Sequence, residues 1–223
     1  MDRVLIVEDY PMTSKQLRLA ITEQIEDVQV DVAMNVAEAR EHIERAYKSK
    51  QPYQAVVLDM MLPAVSGAPP TLDEKICEAI SQKMPNTLVA HITAHVDNES
   101  VKQHLEVAHA RQVDRSFRLA KEWDYGIELI KKLKPFLYGL RIQEHMNGLF
   151  GGGGGGSVLY GLRPRPSLRP RAPRRERSMT HELAALTRDI ATYWADLDPG
   201  MKLRVEELFQ VEEKEGEVTA SLL

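Results

Sequence analysis

The stretch that decides the fold runs from Ala55 to Asp59 and has the sequence AVVLD. Four apolar residues followed directly by a carboxylate are typical of a strand that is buried on both faces and ends at a polar site. A similar run, VLIV, covers residues 4–7 and is followed by Glu8 and Asp9. We therefore predict a parallel sheet whose strands carry acidic residues at their carboxyl ends, where such sheets place their sites.

Strands and helices alternate along the chain on both sides of this stretch. Short apolar runs predict further strands over residues 28–33, 87–92 and 112–114. Apolar positions repeated every three or four residues predict helices over 17–25, 36–46, 72–84, 98–108 and 120–134. Pro135 is expected to end or kink the last helix. The alternation predicts an α/β fold with a doubly wound, five-stranded parallel sheet.

The composition changes beyond this region, and the change predicts three segments. Residues 1–145 form the α/β domain. Residues 146–178 form a flexible linker, because the six glycines of 151–156 have no side chains to pack and the Arg/Pro-rich tract of 163–177 has no apolar core. Residues 179–223 form a short helical hairpin.

The tail has helical periodicity in two parts. The first stripe of apolar residues consists of Leu183, Leu186, Ile190, Trp194 and Leu197. After the helix-breaking sequence DPG at 198–200, a second helix is indicated by Met201, Val205, Leu208 and Val211. Two short helices bury too little surface to fold alone. We expect them to fold back on the first domain, form a dimer or dock on a kinase.

Charge and cysteine content limit the function classes. Residues 1–157 carry a net charge of −4, residues 158–178 carry +6 and residues 179–223 carry −6. The basic tract is either a solvated spacer or a strip that contacts acidic partners or nucleic acid without sequence specificity. The single cysteine, Cys77, lies in a helical apolar pattern and is expected to be buried. Without a signal-peptide pattern or a membrane-length apolar run, we expect a cytoplasmic protein with no membrane contact.

The acidic residues at the strand ends predict a metal-assisted site. Glu8 and Asp9 follow the first strand and Asp59 ends the third, so the fold brings three carboxylates together. Like charges at close range repel unless a cation neutralises them, and oxygen ligands suit Mg²⁺. An aspartate in such a site can attack phosphorus. Thr93 ends the fourth strand, and Arg115 offers a cation at the end of the predicted fifth strand.

Three motifs resemble the receiver domain of two-component response regulators. They are VLIVED at 4–9, VVLDMMLPAVSG at 56–67 and ITA at 92–94, and the resemblance covers residues 3 to about 137. It implies a flavodoxin-like fold and phosphorylation of Asp59 by a sensor histidine kinase or a phosphotransfer protein. It further implies that Mg²⁺ is bound by Glu8, Asp9, Asp59 and the backbone carbonyl of Met61. Thr93 would move toward the phosphoryl group.

The sequence departs from this family in three places. The usual Lys-Pro pair is absent at the expected distance from Thr93, where Arg115 stands instead. Lys134-Pro135 is too distant to replace it, and the aromatic residue that often precedes the lysine falls on Gln112. The loop after Asp59 is also longer than usual.

These observations predict a phosphoacceptor receiver in a phosphorelay rather than an enzyme with an external substrate. Its output is expected to be protein interaction rather than sequence-specific DNA binding, with dimerisation through the tail or through the face of the fourth and fifth predicted helices. A pseudo-receiver that signals without phosphorylation is the alternative, favoured by Arg115 and Gln112. A transcriptional regulator acting through the arginine tract and the tail is a third candidate.

Overall fold

The computed structural model of the chain describes residues 1–72, 75–94, 99, 102–103, 116–122, 124–149, 179–214 and 217–222. The chain divides into two compact units, Met1–Leu133 and Lys134–Leu223. Most of the predicted helix over 98–108, the predicted strand over 112–114 and the linker from residue 150 to 178 lie outside the described residues.

The first unit is built from strands and helices in alternation. In chain order its elements are β1 (Asp2–Val7), α1 (Pro11–Gln24), β2 (Val28–Ala33), α2 (Val36–Ser49), β3 (Ala55–Asp59), β4 (Met61–Pro63), β5 (Pro70–Leu72), α3 (Lys75–Lys83), β6 (Leu88–Thr93), β7 (Ser116–Ala120) and the beginning of α4 (Tyr125–Leu149). Five strands form one sheet in the order β2-β1-β3-β6-β7, and every neighbouring pair is parallel. The predicted doubly wound parallel sheet is confirmed.

The three central strands, β1, β3 and β6, form the buried centre of the sheet. All residues of β3 and β6 are buried, as their continuous apolar sequences predict. The helices cover the sheet with apolar faces that include Leu17 and Ile21 of α1 and Ile76 and Ile80 of α3. Cys77 of α3 is buried, in agreement with its place in an apolar pattern.

The start of α2 is fixed by a reciprocal cap. The side chain of Asn35 accepts a hydrogen bond from the backbone N–H of Glu38 at 2.9 Å. The Glu38 carboxylate in turn accepts from the backbone N–H of Met34 at 2.8 Å. Such caps satisfy N–H groups that the helix itself leaves without partners.

The long loop after Asp59 contains a small antiparallel hairpin formed by β4 and β5. Its three residue pairs are Met61 with Leu72, Leu62 with Thr71, and Pro63 with Pro70. Leu62 belongs to the hydrophobic core of the domain. At the other end of β4, the Ala64 carbonyl accepts a hydrogen bond from the N–H of Ala37 at 3.1 Å. Gly67 adopts a φ of +83° in the connection, a conformation that glycine reaches without strain.

The last strand and the last helix of this region differ from the prediction. The fifth strand of the sheet is β7 at Ser116–Ala120, C-terminal to the predicted range of 112–114. The prediction that Pro135 ends the helix is wrong, because α4 contains it and continues to Leu149. Buried side chains directly after the proline, Phe136 and Leu137, hold this helical turn by packing. Residue 146, where we placed the start of the linker, is therefore helical.

The second unit contains the rest of α4 and the tail. Its further elements are α5 (Met179–Tyr193), a 3₁₀ turn (Trp194–Asp196), α6 (Pro199–Glu206), β8 (Phe209–Lys214) and β9 (Glu217–Leu222). The predicted first helix and the DPG break are present. The predicted second helix is too long, because Val211 lies in β8, which pairs with β9 in an antiparallel hairpin. The tail is therefore not purely helical.

The second half of α4 packs against α5 inside this unit. The rings of Tyr138 and Tyr193 are stacked with centroids 3.9 Å apart. Arg141 Nη1 donates a hydrogen bond to the Tyr193 hydroxyl at 3.2 Å. His145 Nδ1 lies 2.9 Å from Asp189 Oδ2. Within this unit, four residues of the tail's apolar stripe are buried: Leu186, Ile190, Trp194 and Leu197.

Candidate functional site

Three carboxylates meet at the carboxyl edge of the sheet. Glu8 and Asp9 follow β1, and Asp59 is the last residue of β3, the strand that pairs with β1. One oxygen from each of the three side chains lies within 4.8 Å of the others. The parallel pairing brings the predicted acidic residues together, as we expected.

A lysine that the sequence analysis missed bridges two of these carboxylates. Lys121 directly follows β7, and its Nζ lies 2.6 Å from Asp59 Oδ2 and 2.7 Å from Glu8 Oε2. Lys121 therefore occupies the place in the site that we had assigned to Arg115. Arg115 precedes β7 and lies outside the described residues. The error arose because we placed the fifth strand too early, so the residue after it was misidentified.

The ionic contacts of Lys121 with Glu8 and Asp59 are largely buried. The side chains of Glu8 and Asp59 are 1% and 8% exposed. Burial raises the pKa of Glu8, the nearby charge of Asp59 raises it further, and the hydrogen bond from Lys121 offsets part of the rise. Burial alone would lower the pKa of Lys121, but its hydrogen bonds to Asp59 and Glu8 raise it above its ordinary value. The two carboxylates therefore favour the charged form of Lys121.

Two further predicted residues stand beside Asp59. Thr93 is fully buried at the end of β6, and its carbonyl accepts a hydrogen bond from the N–H of Lys121 at 2.8 Å. The backbone N–H of Met61 donates to Asp59 Oδ1 at 3.2 Å. Both carboxylate oxygens of Asp59 are thus held, one by the backbone of Met61 and the other by Lys121.

Tyr125, the first residue of α4, is a neighbour of the site that the sequence did not indicate. Burial raises the pKa of its phenol, and the negative charges of Glu8 and Asp59 raise it further while Lys121 lowers it. Once β7 is located, the position of Tyr125 four residues after Lys121 could have identified it as a neighbour of the site.

The donor set of this cluster suits a hard divalent cation. Glu8, Asp9 and Asp59 supply only oxygen atoms, and oxygen ligands are those that Mg²⁺ prefers. Within the described part of the chain, no other group of three acidic, histidine or cysteine side chains approaches as closely. The histidine beside this region, His91, is fully buried with Nδ1 3.2 Å from Met60 Sδ. His95, His104 and His109 lie outside the described residues.

Comparison with known proteins identifies the class of protein that this fold and site define. A family model described as the response regulator receiver domain matches residues 4–121, more than half of the chain. The chain therefore belongs to the response regulator receiver family. The match ends at Lys121, the residue that bridges Glu8 and Asp59. No protein in a curated collection matches the chain.

Solved receiver structures are similar to about three-fifths of the chain, at low sequence identity and with TM-scores below 0.5. A CheY-like receiver domain protein from Methanospirillum hungatei is 18% identical, with a TM-score of 0.46, over 60% of this chain and 91% of its own. The response regulator TrrA from Thermotoga maritima, solved in complex with Mg²⁺ and a beryllium fluoride, is 23% identical, with a TM-score of 0.44, over 61% and 99%. A receiver domain of a putative LuxO repressor protein from Vibrio parahaemolyticus is 22% identical, with a TM-score of 0.46, over 64% and 95%.

A helix that crosses a membrane must be long and continuously apolar. No helix that lies in the described residues combines the necessary length with sufficient apolar character.

Proposed function

We propose that this chain is a phosphoacceptor receiver in which Asp59 takes a phosphoryl group from a sensor histidine kinase or a phosphotransfer protein. The observation that carries the proposal is the geometry around Asp59. Lys121 Nζ lies 2.6 Å from one carboxylate oxygen, and the Met61 N–H lies 3.2 Å from the other. A carboxylate fixed in this way faces its phosphoryl donor in one orientation, so less freedom is lost on reaching the transition state.

The reaction is a transfer between two covalent acceptors. A carboxylate oxygen of Asp59 attacks phosphorus, a P–O bond forms, and the bond from phosphorus to the donor nitrogen breaks with its electron pair returning to the imidazole. The phosphoryl group arrives with several negative charges in a site that already contains Glu8 and Asp9. Lys121 can offset part of this charge, and the Thr93 hydroxyl offers a donor at the end of β6. Hydrolysis of the acyl phosphate restores Asp59.

Mg²⁺ is the cofactor that the site best accommodates. We propose that Glu8, Asp9, Asp59 and the backbone carbonyl of Met61 hold it. When bound, the ion neutralises charge on the transferring phosphoryl oxygens. The support is the oxygen-only donor set, with three carboxylate oxygens mutually within 4.8 Å.

The alternative, a pseudo-receiver that signals without phosphorylation, loses both residues on which it rested, although Arg118, three positions before Lys121, is not aromatic either. It rested on the absence of the site lysine and on Gln112, and Lys121 now supplies an ammonium group at Asp59. In the family a proline directly follows this lysine, whereas Glu122 follows Lys121 in this chain. We propose an output through protein interaction rather than through recognition of a DNA sequence.

Intact-mass analysis tests this function. The full chain incubated with acetyl phosphate and Mg²⁺ should gain one phosphate, whereas Asp59→Asn and a sample treated with EDTA should gain none. Asp9→Asn is the matched variant for the metal, and it should slow labelling while leaving Asp59 in place. Equal labelling of wild type and Asp59→Asn, or none of wild type, would contradict the proposal.

A further inference from the structure

The β4–β5 hairpin lies directly after Asp59 and shares a residue with the site. Met61 is both the first residue of β4 and the donor of a backbone hydrogen bond to Asp59 Oδ1. The conformation of this short strand therefore sets the direction of Met61's backbone groups. The contacts that fix β4 therefore also fix the Met61 backbone groups beside Asp59.

Two prolines determine which residues of the hairpin exchange hydrogen bonds. In an antiparallel pair, residues that exchange two backbone hydrogen bonds alternate with residues that exchange none. Pro63 stands opposite Pro70, and neither has an N–H to donate. The exchanging pair must therefore be Leu62 and Thr71.

This assignment turns the backbone of Met61 away from β5. The N–H and C=O groups of one residue in an extended strand point to the same side, and they alternate from one residue to the next. Leu62 points toward Thr71, so Met61 points to the opposite side. The bond from the Met61 N–H to Asp59 agrees with this direction. The Met61 carbonyl consequently faces the side on which the carboxylate cluster lies.

Two contacts anchor the hairpin to the rest of the domain, one at Leu62 in β4 and one at Ala64 directly after it. Leu62 is 1% exposed in the hydrophobic core, while Thr71 opposite it has an exposed side chain. The Ala64 carbonyl is bound by Ala37 at the start of α2. Thr71 therefore contributes to the arrangement through its backbone rather than through its side chain.

We propose that the β4–β5 hairpin is a positioning element for a divalent cation, and that the backbone pairing of Leu62 with Thr71 increases the affinity of the carboxylate cluster for Mg²⁺. This inference rests on the proposed function. Thr71 and Gly67 act through Met61 and have no direct contact with the reacting atoms. The role of such outer residues is to fix a ligand in its binding direction before the ion arrives.

The test compares two substitutions at residue 71 in the full chain. Thr71→Pro removes the N–H that pairs with Leu62, and Thr71→Ala removes the exposed side chain but keeps that N–H. Mg²⁺ alone is titrated in a calorimeter, and the amide resonance of Met61 is followed in parallel. Thr71→Pro should weaken Mg²⁺ binding by about 10-fold and shift the Met61 resonance. Thr71→Ala should have an affinity for Mg²⁺ within about twofold of wild type, because it keeps the backbone hydrogen bond that orients Met61.

A second pair of variants decides the question if Thr71→Pro does not fold. Gly67→Val places a β-branched side chain at a residue with the left-handed φ of +83°. Ser66→Val is the control, because it places the same side chain at the preceding residue, whose φ is not positive. Gly67→Val should weaken Mg²⁺ binding and Ser66→Val should not.

The outcomes separate this inference from the proposed function. If the wild-type chain does not bind Mg²⁺, both are contradicted. If the wild type binds it and folded Thr71→Pro or Gly67→Val binds it equally well, the positioning role alone is wrong. Equal losses in Thr71→Ala and Thr71→Pro would likewise overturn the role of the backbone pairing.

Discussion

Lys121 and Asp59 are 62 positions apart in the chain, yet Lys121 Nζ lies 2.6 Å from Asp59 Oδ2. This contact joins the ends of β3 and β7, which are separated in the sheet by β6. It also places an ammonium group against two buried carboxylates. The consequences of removing that ammonium can be measured directly.

Lys121→Met should destabilise the metal-free protein. The substitution keeps the length of the side chain but leaves Glu8 and Asp59 without their cation, and removing one partner of a buried ion pair costs about 3–5 kcal/mol. Urea unfolding at neutral pH in EDTA measures the loss. Addition of Mg²⁺ should recover part of it, because the ion neutralises the same carboxylates.

Arg115→Ala is the matched control for this experiment. If Lys121 is the cation of the site, Arg115→Ala leaves the ion pair with Glu8 and Asp59 intact and should keep the stability of the wild type within about 0.5 kcal/mol. Beryllium fluoride should shift the amide resonances of β6 and β7 in Arg115→Ala as in wild type, and less in Lys121→Met. The reverse order would show that Arg115 carries the role we first assigned to it.

The network around Asp31 predicts a loss of stability in acid. The carboxylate accepts hydrogen bonds from Arg3 at 2.8 Å and from the Tyr53 hydroxyl at 2.7 Å. Burial would raise the pKa of Asp31, but the hydrogen bonds from Tyr53 and Arg3 outweigh it and lower the pKa below its ordinary value of 3.8. The stabilisation is therefore present above pH 3.8 and is lost as the pH falls through the folded-state pKa.

Asp31→Asn should remove the stabilisation that depends on the ionised Asp31 carboxylate. We expect a loss of about 1–2 kcal/mol in the free energy of unfolding at pH 7, since hydrogen bonds to charged groups contribute this order of energy. The difference from wild type should shrink as the pH is lowered below 3.8. Tyr53→Phe keeps the carboxylate and its pair with Arg3, so its deficit should depend less on pH. Parallel stability curves for wild type and Asp31→Asn would contradict the assignment.

Tyr193 should contribute strongly to the stability of the second unit. Its buried ring stacks on Tyr138, and its hydroxyl accepts a hydrogen bond from Arg141. Tyr193→Ala should cost about 3–5 kcal/mol, the usual range for a buried aromatic side chain. Tyr193→Phe keeps the stack and should cost about 1 kcal/mol. Hydrogen exchange of α5 amides measures both, and similar effects of the two substitutions would show that the stack contributes little.

Any DNA binding by the arginine tract should be weak and without sequence selectivity. The seven arginines of residues 163–177 can contact phosphates, and such binding weakens steeply as salt is added. Fluorescence anisotropy with unrelated duplexes should give equal affinities that fall together between low and physiological salt. A variant with these arginines replaced by glutamine should lose the binding. Tight binding of one selected sequence at physiological salt would contradict the proposed output.

The sequence predicted the parts of the fold whose signal is local. The continuous apolar runs of β1, β3 and β6 identify buried strands, and the acidic residues after them identify the edge of the site. β7 was misplaced because its sequence, SFRLA, mixes polar and apolar residues and because the chain between β6 and β7 is longer than the family spacing. The alternation of Phe117 and Leu119 before Lys121 is the signal that could have located it.

The hairpins were missed for a different physical reason. β8 and β9 alternate apolar and polar residues, as in Phe209 and Val211, but Val211 also continues the helical spacing of Val205 and Leu208. The pairing partner lies several residues further on, and short segments of this kind acquire their structure from that partner. β5 contains proline and follows a second proline, a composition that normally argues against a strand.

The opposed prolines of the small hairpin also protect the exposed loop from aggregation. Because Leu62 and Thr71 form the exchanging pair, the backbone nitrogen of Pro70 lies on the outer edge of β5, where it has no hydrogen to offer. An exposed strand edge usually invites a strand of another molecule to pair with it. This edge lacks a donor at Pro70, the first residue of β5. The hairpin can therefore stand at the surface beside Asp59 without becoming a template for intermolecular β-structure.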